Sequence, residues 1–193
     1  MKKRTIVVAA ALMLAAGASS FAATFSLTLN AEKDFSQMPT AGEAIESFST
    51  DPAPLWGFGW EVVMKRLGLG GTYYVKFFED TGSSWTLDWN GQPLYVSYHF
   101  FGPKPFLDPF VMAGAGCSGR VLLQDSYPGT SALFLSLYPF VGAGFGIHLG
   151  DFTVGASLSY VPFISGIPAT DIPAYPAGNY QLSVYSGVTL GHK

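Results

Sequence analysis

The chain has 193 residues, of which 12% are charged and 49% hydrophobic, and aromatic residues alone make up 16%. So few charges exclude a disordered chain, and 23 glycines with 13 prolines exclude a helical bundle or coiled coil. The mean hydropathy of +0.29 is high for a soluble protein, yet no segment beyond the N-terminus reads as a membrane-spanning helix. Together these features favour a β-barrel that lies in a membrane.

Residues 1–22 are predicted to be a cleaved secretory signal peptide. Residues 2–4, Lys-Lys-Arg, form a charged start, and residues 5–18 form a short apolar core. Small residues at positions −3 and −1 predict cleavage after Ala22. The apolar core is too short to span a bilayer, which argues against an uncleaved anchor helix. The exported domain is therefore expected to comprise residues 23–193.

Cleavage removes three of the 10 basic residues and none of the 13 acidic ones, leaving a net charge of about −6. Such an acidic chain is not expected to bind nucleic acid, since phosphate recognition needs clustered Lys and Arg. The only cysteine, Cys117, cannot form an intrachain disulfide, and its place in the chain excludes an N-terminal lipid anchor. Cys117 is expected to be a small apolar residue on the outer face.

The exported sequence alternates apolar and small polar residues with a period of two, which predicts strands with one apolar face. A further short stretch, 85–89, is followed by Asn90-Gly91, a strong hairpin signal. Because bacterial barrels close with an even number of strands, residues 84–92 are predicted to extend the tip of the loop between strands three and four. The eight predicted strands are 25–29, 56–66, 72–79, 94–101, 109–118, 133–149, 152–160 and 180–190.

Two-residue turns at 68–69 and 150–151 would keep every outward-facing pair of their hairpins apolar, whereas a slip of one residue would not. Long connections at 31–55, 80–93, 119–131 and 165–178 alternate with shorter turns at 68–69, 102–108 and 150–151, as in outer-membrane barrels. The first long connection is rich in Asp and Glu, so the outer surface is expected to be acidic. The predicted outward pairs are Met64–Tyr73, Val62–Val75, Trp60–Phe77, Ile147–Val154, Phe145–Ala156 and Val141–Tyr160.

The alternation would also suit a soluble ligand-binding barrel of the lipocalin sort, with its apolar face inward. Here the polar face of the strands is mostly Gly, Ser and Thr, and the charges lie mainly in the connections. Small polar residues suit the narrow interior of eight strands, and aromatic residues near strand ends suit interfacial girdles. The apolar face is therefore predicted to meet lipid.

Residues 109–116, PFVMAGAG, and residues 139–146, PFVGAGFG, share a P-F-V-x-A-G-x-G pattern. This pattern resembles the strand signature of the small outer-membrane β-barrel family, the OmpA, OmpW and opacity-protein group. The resemblance implies an eight-stranded antiparallel transmembrane β-barrel with long outer loops and short periplasmic turns. It also implies residence in the outer membrane of a diderm bacterium, with outer-membrane lipid and the barrel-insertion machinery as partners.

No metal, phosphate-binding or nucleophile motif is present, and no cofactor is expected. His99, His148 and His192 lie too far apart in sequence to form a local metal site. His99 and His148 have inward phase and are expected to fill a polar lumen. Some outer-membrane barrels are lipid-modifying hydrolases that use a His and a Ser, for which Ser97, Ser157 and Ser159 are the candidates. The chain is nevertheless predicted not to be an enzyme.

The charges predicted to point inward are Glu61, Lys65 and Lys76. The turn at 68–69 would set Glu61 directly opposite Lys76, with Lys65 nearby on the same face. An unpaired charge in a dry interior is expensive, so a lumen salt bridge is expected. A gate in a narrow pore is the alternative reading of the same charges.

Two functions therefore remain open. The first is a structural and surface-interaction protein, an adhesin, with a largely filled lumen and a host or matrix ligand at its acidic outer loops. The alternative is a porin-like narrow channel for small or hydrophobic solutes. Conductance of the refolded exported domain would distinguish them.

Overall fold

The computed structural model describes residues 23–48, 54–80, 84–101, 106–124, 132–162, 165–167 and 179–191, so the predicted signal peptide and its cleavage site at Ala22 lie outside the described residues. No helix among the described residues is long and apolar enough to cross a membrane. The described elements are β1 (Ala23–Phe35), α1 (Ala41–Ser47), β2 (Leu55–Met64), β3 (Leu67–Asp80), β4 (Ser84–His99), β5 (Leu107–Gln124), β6 (Ala132–Leu149), β7 (Phe152–Tyr160), β8 (Ser165–Ile167) and β9 (Tyr180–Gly191).

Eight strands form a closed antiparallel barrel, which confirms the predicted fold. Neighbours in the chain pair from β1 to β7, then β7 pairs with β9, and β9 pairs with β1 to close the sheet. The three-residue β8 adds to β6 outside this closed set. Closure leaves no free edge along the barrel, which is the condition for a sheet to lie in lipid.

The outer wall of the barrel is apolar all the way round. Following the cross-strand pairs from Phe25 once around the barrel returns to β1 at Phe35, ten residues further on, and this shear tilts the strands by about 40°. Every residue met on this path faces outward and is apolar or aromatic. The path runs through Phe25, Val62, Leu69, Val96, Ala113, Val141, Tyr160, Tyr180 and Phe35.

Exposed aromatic residues bracket this apolar wall. Phe152 and Tyr160, at the two ends of β7, are 46% and 39% exposed. The eight steps between them, at about 3.4 Å each and tilted by about 40°, cover roughly 20 Å along the barrel axis. That height is close to the apolar band of outer-membrane barrels.

The hairpin of β6 and β7 turns at Gly150-Asp151 as predicted, with all three predicted pairs in register. The predicted turn at 68–69 is wrong, because β2 and β3 turn at Lys65-Arg66 and Met64 pairs with Leu67 instead of Tyr73. The displacement is six residues, an even number, so outward residues still meet outward residues. Alternation fixes the face of each residue but leaves this choice of register open.

The predicted loop at 80–93 is also wrong, because residues 84–92 form the first half of β4. Asn90-Gly91 lies inside this strand, where the two residues pair with Tyr74 and Tyr73 on β3. The register of β4 shifts by one residue against β3 between Gln92 and Tyr95 and against β5 between Gly91 and Leu94, so that Pro93 lies within both intervals. Proline lacks the N–H of a ladder bond and is tolerated at such a bulge. The bulge changes the inward residues from even to odd numbers, so Asn90 and His99 both face the lumen.

Other strands also run further into the predicted long connections. β1 continues to Phe35, which moves Glu32 and Asp34 from the predicted acidic loop into the barrel wall. β5 continues to Gln124, inside the predicted connection 119–131. Because the short turns align β3–β6 at one end of the barrel and these strands have 14–18 residues, they extend beyond β2, β7 and β9 at the other end.

Closure of the barrel should depend on Gly187. A Cβ at this position would lie 1.9 Å from the backbone oxygen of Leu27 on the adjoining strand. We expect Gly187→Ala to reduce the fraction that refolds to a heat-modifiable barrel on gels several-fold. Gly146→Ala is the matched control on a lumen-facing strand position, since its nearest neighbour is the Tyr185 hydroxyl at 3.2 Å. Equal folding of the two variants would contradict the β1–β9 register.

Candidate functional site: the lumen

Polar side chains near the short-turn end form a chain of contacts around most of the inside of the barrel, here called the lower belt. It begins on β2 and β4, where Ser97 Oγ donates to Glu61 Oε1 at 2.6 Å and lies 3.0 Å from His99 Nε2. His99 Nδ1 is 2.7 Å from Asp108 Oδ2 on β5. The lower belt comprises Ser26, Glu61, Ser97, His99, Asp108, His148, Thr153 and Thr189.

The belt continues through the second half of the barrel. His148 Nε2 lies 3.5 Å from Asp108 Oδ2, and its Nδ1 lies 2.8 Å from Thr153 Oγ1. Thr153 then contacts Thr189 at 2.8 Å, and Thr189 contacts Ser26 on β1 at 2.9 Å. Seven of the eight barrel strands therefore contribute a side chain to one connected set.

The eighth barrel strand, β3, leaves the space that the side chains of the lower belt occupy. Gly68 faces the lumen, and a Cβ there would lie 2.1 Å from Ser97 Oγ and 2.7 Å from Glu61 Oε1. Any other residue at position 68 would therefore push into the belt. This requirement gives Gly68 a place inside the strand, where the sequence pattern had suggested a turn.

The order of atoms Ser97–His99–Asp108 is that of a serine-hydrolase triad, but the hydroxyl proton goes elsewhere. Ser97 donates to Glu61, so its oxygen accepts from His99 Nε2 while His99 Nδ1 donates to Asp108. A histidine that donates from both ring nitrogens is an imidazolium. His99 lies between the carboxylates of Glu61 and Asp108, an arrangement that suits an imidazolium in a structural role.

A second polar layer crosses the lumen nearer the long connections, here called the Glu32 layer. Glu32 is 1% exposed, accepts a hydrogen bond from Asn90 Nδ2 and lies 3.5 Å from Ser183 Oγ. Tyr138 donates to Asn90 Oδ1, and Tyr74 bonds Ser183 at 2.7 Å. The layer comprises Glu32, Tyr74, Asn90, Gln92, Tyr138, Gln181 and Ser183.

A cavity lies between the two layers. The space open to the centres of water molecules is about 70 Å³, enough for several waters. Its wall combines apolar side chains such as Phe110 and Met112 with Glu61, Asp108 and His148. Asp108 Oδ1 is buried and has no hydrogen-bond partner among the described residues, so it is available to a water in this cavity.

The structure separates the three charges that were predicted to share the lumen. Glu61 faces the lumen, but it lies opposite Gly70, so the predicted Glu61–Lys76 pair is wrong. Lys65 is exposed in the turn and does not point inward. Lys76 is half-buried on β3 and lies opposite Asp88 in the register of β3 and β4. His99 supplies the partner for Glu61 that Lys76 had been expected to supply.

The remaining candidates are distributed along the lumen. His99 and His148 both approach Asp108, although 49 positions separate them in the sequence. Ser157 and Ser159 are buried, while the hydroxyl that contacts His148 is that of Thr153. Among the described residues, no group of three or more His, Cys, Asp or Glu side chains is arranged to hold a metal ion.

Sequence reasoning missed Asp108 and Glu32, which anchor the lower belt and the Glu32 layer. Asp108 had been included in a predicted turn, and Glu32 in a predicted acidic loop. A signal for Glu32 is present, because Thr28, Asn30 and Glu32 continue the polar face of β1. The signal is hard to recognise because Lys33 puts a charge on the outward face of β1, where the pattern requires an apolar residue.

Several solved structures share this fold. The N-terminal β-barrel domain of Pseudomonas aeruginosa OprF aligns with a TM-score of 0.52 at 15% identity, over 86% of this chain and 97% of that one. Ail, the attachment invasion locus protein of Yersinia pestis, aligns at 0.50 and 12% identity, over 87% and 96%. Ail in complex with the heparin analogue sucrose octasulfate aligns at 0.51 and 12% identity, over the same shares. No family model and no curated protein matches the sequence.

These likenesses establish the fold, and with it the predicted resemblance to small outer-membrane barrels. The alignments cover nearly the whole length of both solved barrels. At such low identity they carry no residue roles to this chain. The lumen described above is therefore interpreted from its own contacts.

The stability of the barrel should show strong coupling between Glu61 and His99. We expect the free energies of unfolding of Glu61→Gln, His99→Gln and the double variant to deviate from additivity by about 0.5–3 kcal/mol, because the side chains share one network. The measurement is urea unfolding in one lipid. Glu61→Gln with Lys76→Met is the control, expected to be additive to within about 0.5 kcal/mol. Coupling to Lys76 and not to His99 would contradict the register.

Glu32 and Glu43 should differ sharply in their contribution to stability. Glu32→Ala leaves the buried Asn90 amide without its acceptor, which should cost about 1–3 kcal/mol. Glu43 lies exposed in α1, where hydrogen bonds from Thr40 lower the pKa of its carboxyl, and Glu43→Ala should reduce stability much less than Glu32→Ala does. Urea midpoints of the two variants test this, and similar losses would refute the role of the Glu32 layer.

Proposed function

We propose that this chain is an integral outer-membrane β-barrel with a structural and surface-interaction role and a lumen closed by two polar layers. The observation that carries the proposal is the belt of hydrogen bonds inside a predominantly apolar outer wall. Lipid can offer no partner to polar groups, so a barrel that keeps its polar side chains inward suits a bilayer. A soluble barrel would gain nothing from 28 exposed large hydrophobic residues among those described.

The proposed location follows from the same wall together with the predicted signal peptide. The exported domain should fractionate with the outer membrane, resist carbonate extraction and migrate differently on gels before and after heating. N-terminal sequencing of the mature protein should begin at Ala23. Recovery of a soluble periplasmic monomer would refute the proposal and favour the lipocalin-like alternative.

The long connections are proposed to face the exterior. An epitope tag inserted after Gln37, in the exposed segment that precedes α1, should bind antibody on intact cells. A tag between Gly150 and Asp151 should bind only after the outer membrane is permeabilised, because this short turn lies at the opposite end. Reversed accessibility would show that the barrel has the opposite orientation.

The ligand class favoured at the outer surface is cationic. Ail is known in complex with an anionic heparin analogue, but the described helix α1 of this chain presents exposed Glu43 and Glu46 and no basic residue. Like charges repel, so a sulfated glycan is disfavoured there and a basic host or matrix protein is preferred. Binding of a polylysine-coated surface, but not a heparin-coated one, by proteoliposomes would support this choice.

The cavity between the layers favours one alternative function, a narrow channel. A conducting channel requires that the lower belt and the Glu32 layer both open. We expect planar bilayers containing the refolded chain to show no discrete conductance steps above background. Conductance steps that change with Asp108→Asn, which alters the cavity wall, would support the channel and refute a closed lumen.

Catalysis is not part of the proposal. Ser97 is 1% exposed and donates its proton to Glu61, so it is neither accessible to a substrate nor activated by His99. A fluorophosphonate probe should leave the refolded barrel unlabelled. Labelling that is lost in Ser97→Ala would overturn this interpretation.

A further inference from the structure

The turn between β2 and β3 carries two adjacent basic residues in an unfavourable backbone conformation. Lys65 has a φ of 59°, the only positive φ of a non-glycine residue among those described. The other described two-residue turn places Gly150, with a φ of 70°, at the equivalent first position. Glycine adopts this conformation without steric cost, whereas a lysine does not. The lysine side chain at position 65 is therefore present although glycine would make a more stable turn.

The turn is held firmly against the rim of the barrel. The backbone oxygen of Arg66 accepts a hydrogen bond from the backbone N–H of His99 at 2.8 Å. The Arg66 guanidinium donates from Nη1 to the hydroxyl of Tyr98 at 3.3 Å. Tyr98 packs edge-on against Phe100, with ring centroids 5.5 Å apart. Arg66 is thus fixed, with Lys65 next to it, where the outward aromatic residues of β4 reach the end of the apolar wall.

The position of these cations matches the headgroup region of a bilayer. Tyr98 and Phe100 are 38% and 45% exposed and face outward, as residues of an interfacial girdle do. Lys65 and Arg66 are exposed immediately beyond them. The exported chain as a whole is acidic, and the two-residue turn of the β6–β7 hairpin carries Asp151 where this turn carries Arg66, so adjacent positive charges distinguish the β2–β3 turn from it.

We propose that Lys65 and Arg66, with Tyr98, form a binding site for the phosphate headgroup of an anionic phospholipid at the short-turn rim of the barrel. This inference rests on the proposed membrane location. Arg66 keeps four N–H donors beyond the one given to Tyr98, and guanidinium recognises phosphate with paired hydrogen bonds. Lys65 adds a mobile ammonium beside it, a point charge that also binds phosphate.

The test is lipid competition on the refolded exported chain. The barrel is equilibrated in mixed micelles of phosphatidylglycerol and phosphatidylcholine, and native mass spectrometry counts the lipids retained. Each basic residue near an anionic surface is worth about fivefold in binding, so we expect up to about thirtyfold preference for phosphatidylglycerol. Lys65→Gly and Arg66→Gln should each lose about fivefold, and the double variant should lose the preference.

Control variants and a competition experiment distinguish the effect of side-chain charge from that of the turn backbone, and lipid phosphate from free phosphate. Lys65→Arg keeps the charge and should keep the preference, and Asp151→Asn, at the other turn, should leave it unchanged. Lys65→Gly should also raise the urea midpoint in pure phosphatidylcholine, because it relieves the turn. Inorganic phosphate should not displace the lipid; displacement at millimolar concentration would show a site for free anions and overturn the assignment to lipid.

The outcome distinguishes this inference from the proposed function. A double variant that still prefers phosphatidylglycerol would overturn the headgroup site, and so would a wild-type chain that shows no preference. If the chain still forms a heat-modifiable barrel in either case, the proposed membrane fold stands. A wild-type chain that fails to form a heat-modifiable barrel in any lipid would refute the membrane location itself.

Discussion

The whole structure depends on one constraint: the polar side chains of eight strands must satisfy one another inside a lumen that is only a few side chains wide. In the proposed membrane location, lipid offers no hydrogen bonds on the outside, and a shear of ten with eight strands leaves an interior that side chains nearly fill. The lower belt and the Glu32 layer are the two solutions to this constraint. Each connects strands that are distant in sequence, so each also fixes how the barrel closes.

Alternation in the sequence was sufficient to predict the fold class, most of the outward-facing residues and one hairpin. It could not fix the register of β2 and β3, because a slip of six residues leaves every outward residue facing outward. The deciding information is three-dimensional. Gly68 must lie where Ser97 and Glu61 leave no room for a Cβ, and this contact involves a third strand whose position the hairpin alone does not reveal.

The lumen site was predictable only in part, for two physical reasons. The bulge at Pro93 changes the inward-facing residues of β4 from even to odd numbers. Asn90 and His99 therefore both face the lumen, Asn90 in the Glu32 layer and His99 in the lower belt, whereas an unbroken alternation would put them on opposite faces of the sheet. Asp108 and His148 meet through the pairing of β5 with β6. Nothing local to either residue indicates the other. The inward phase of Glu61 needed no such information, since it follows from its own strand.

The choice of histidine over lysine as the buried cation follows from the geometry of the belt. Glu61 and Asp108 lie on β2 and β5, on opposite sides of His99. A planar ring with donors on two edges can reach both carboxylates at once and remain rigid, whereas a lysine brings one compact ammonium on a long flexible stem. A rigid bridge also loses less side-chain entropy when it is buried. The lysines near this end are then free to lie outside the lumen, and Lys65 does so at the exposed rim. At this end of the barrel, the position of a histidine inside the lumen and of Lys65 outside it is thus a consequence of how little space the closed sheet encloses.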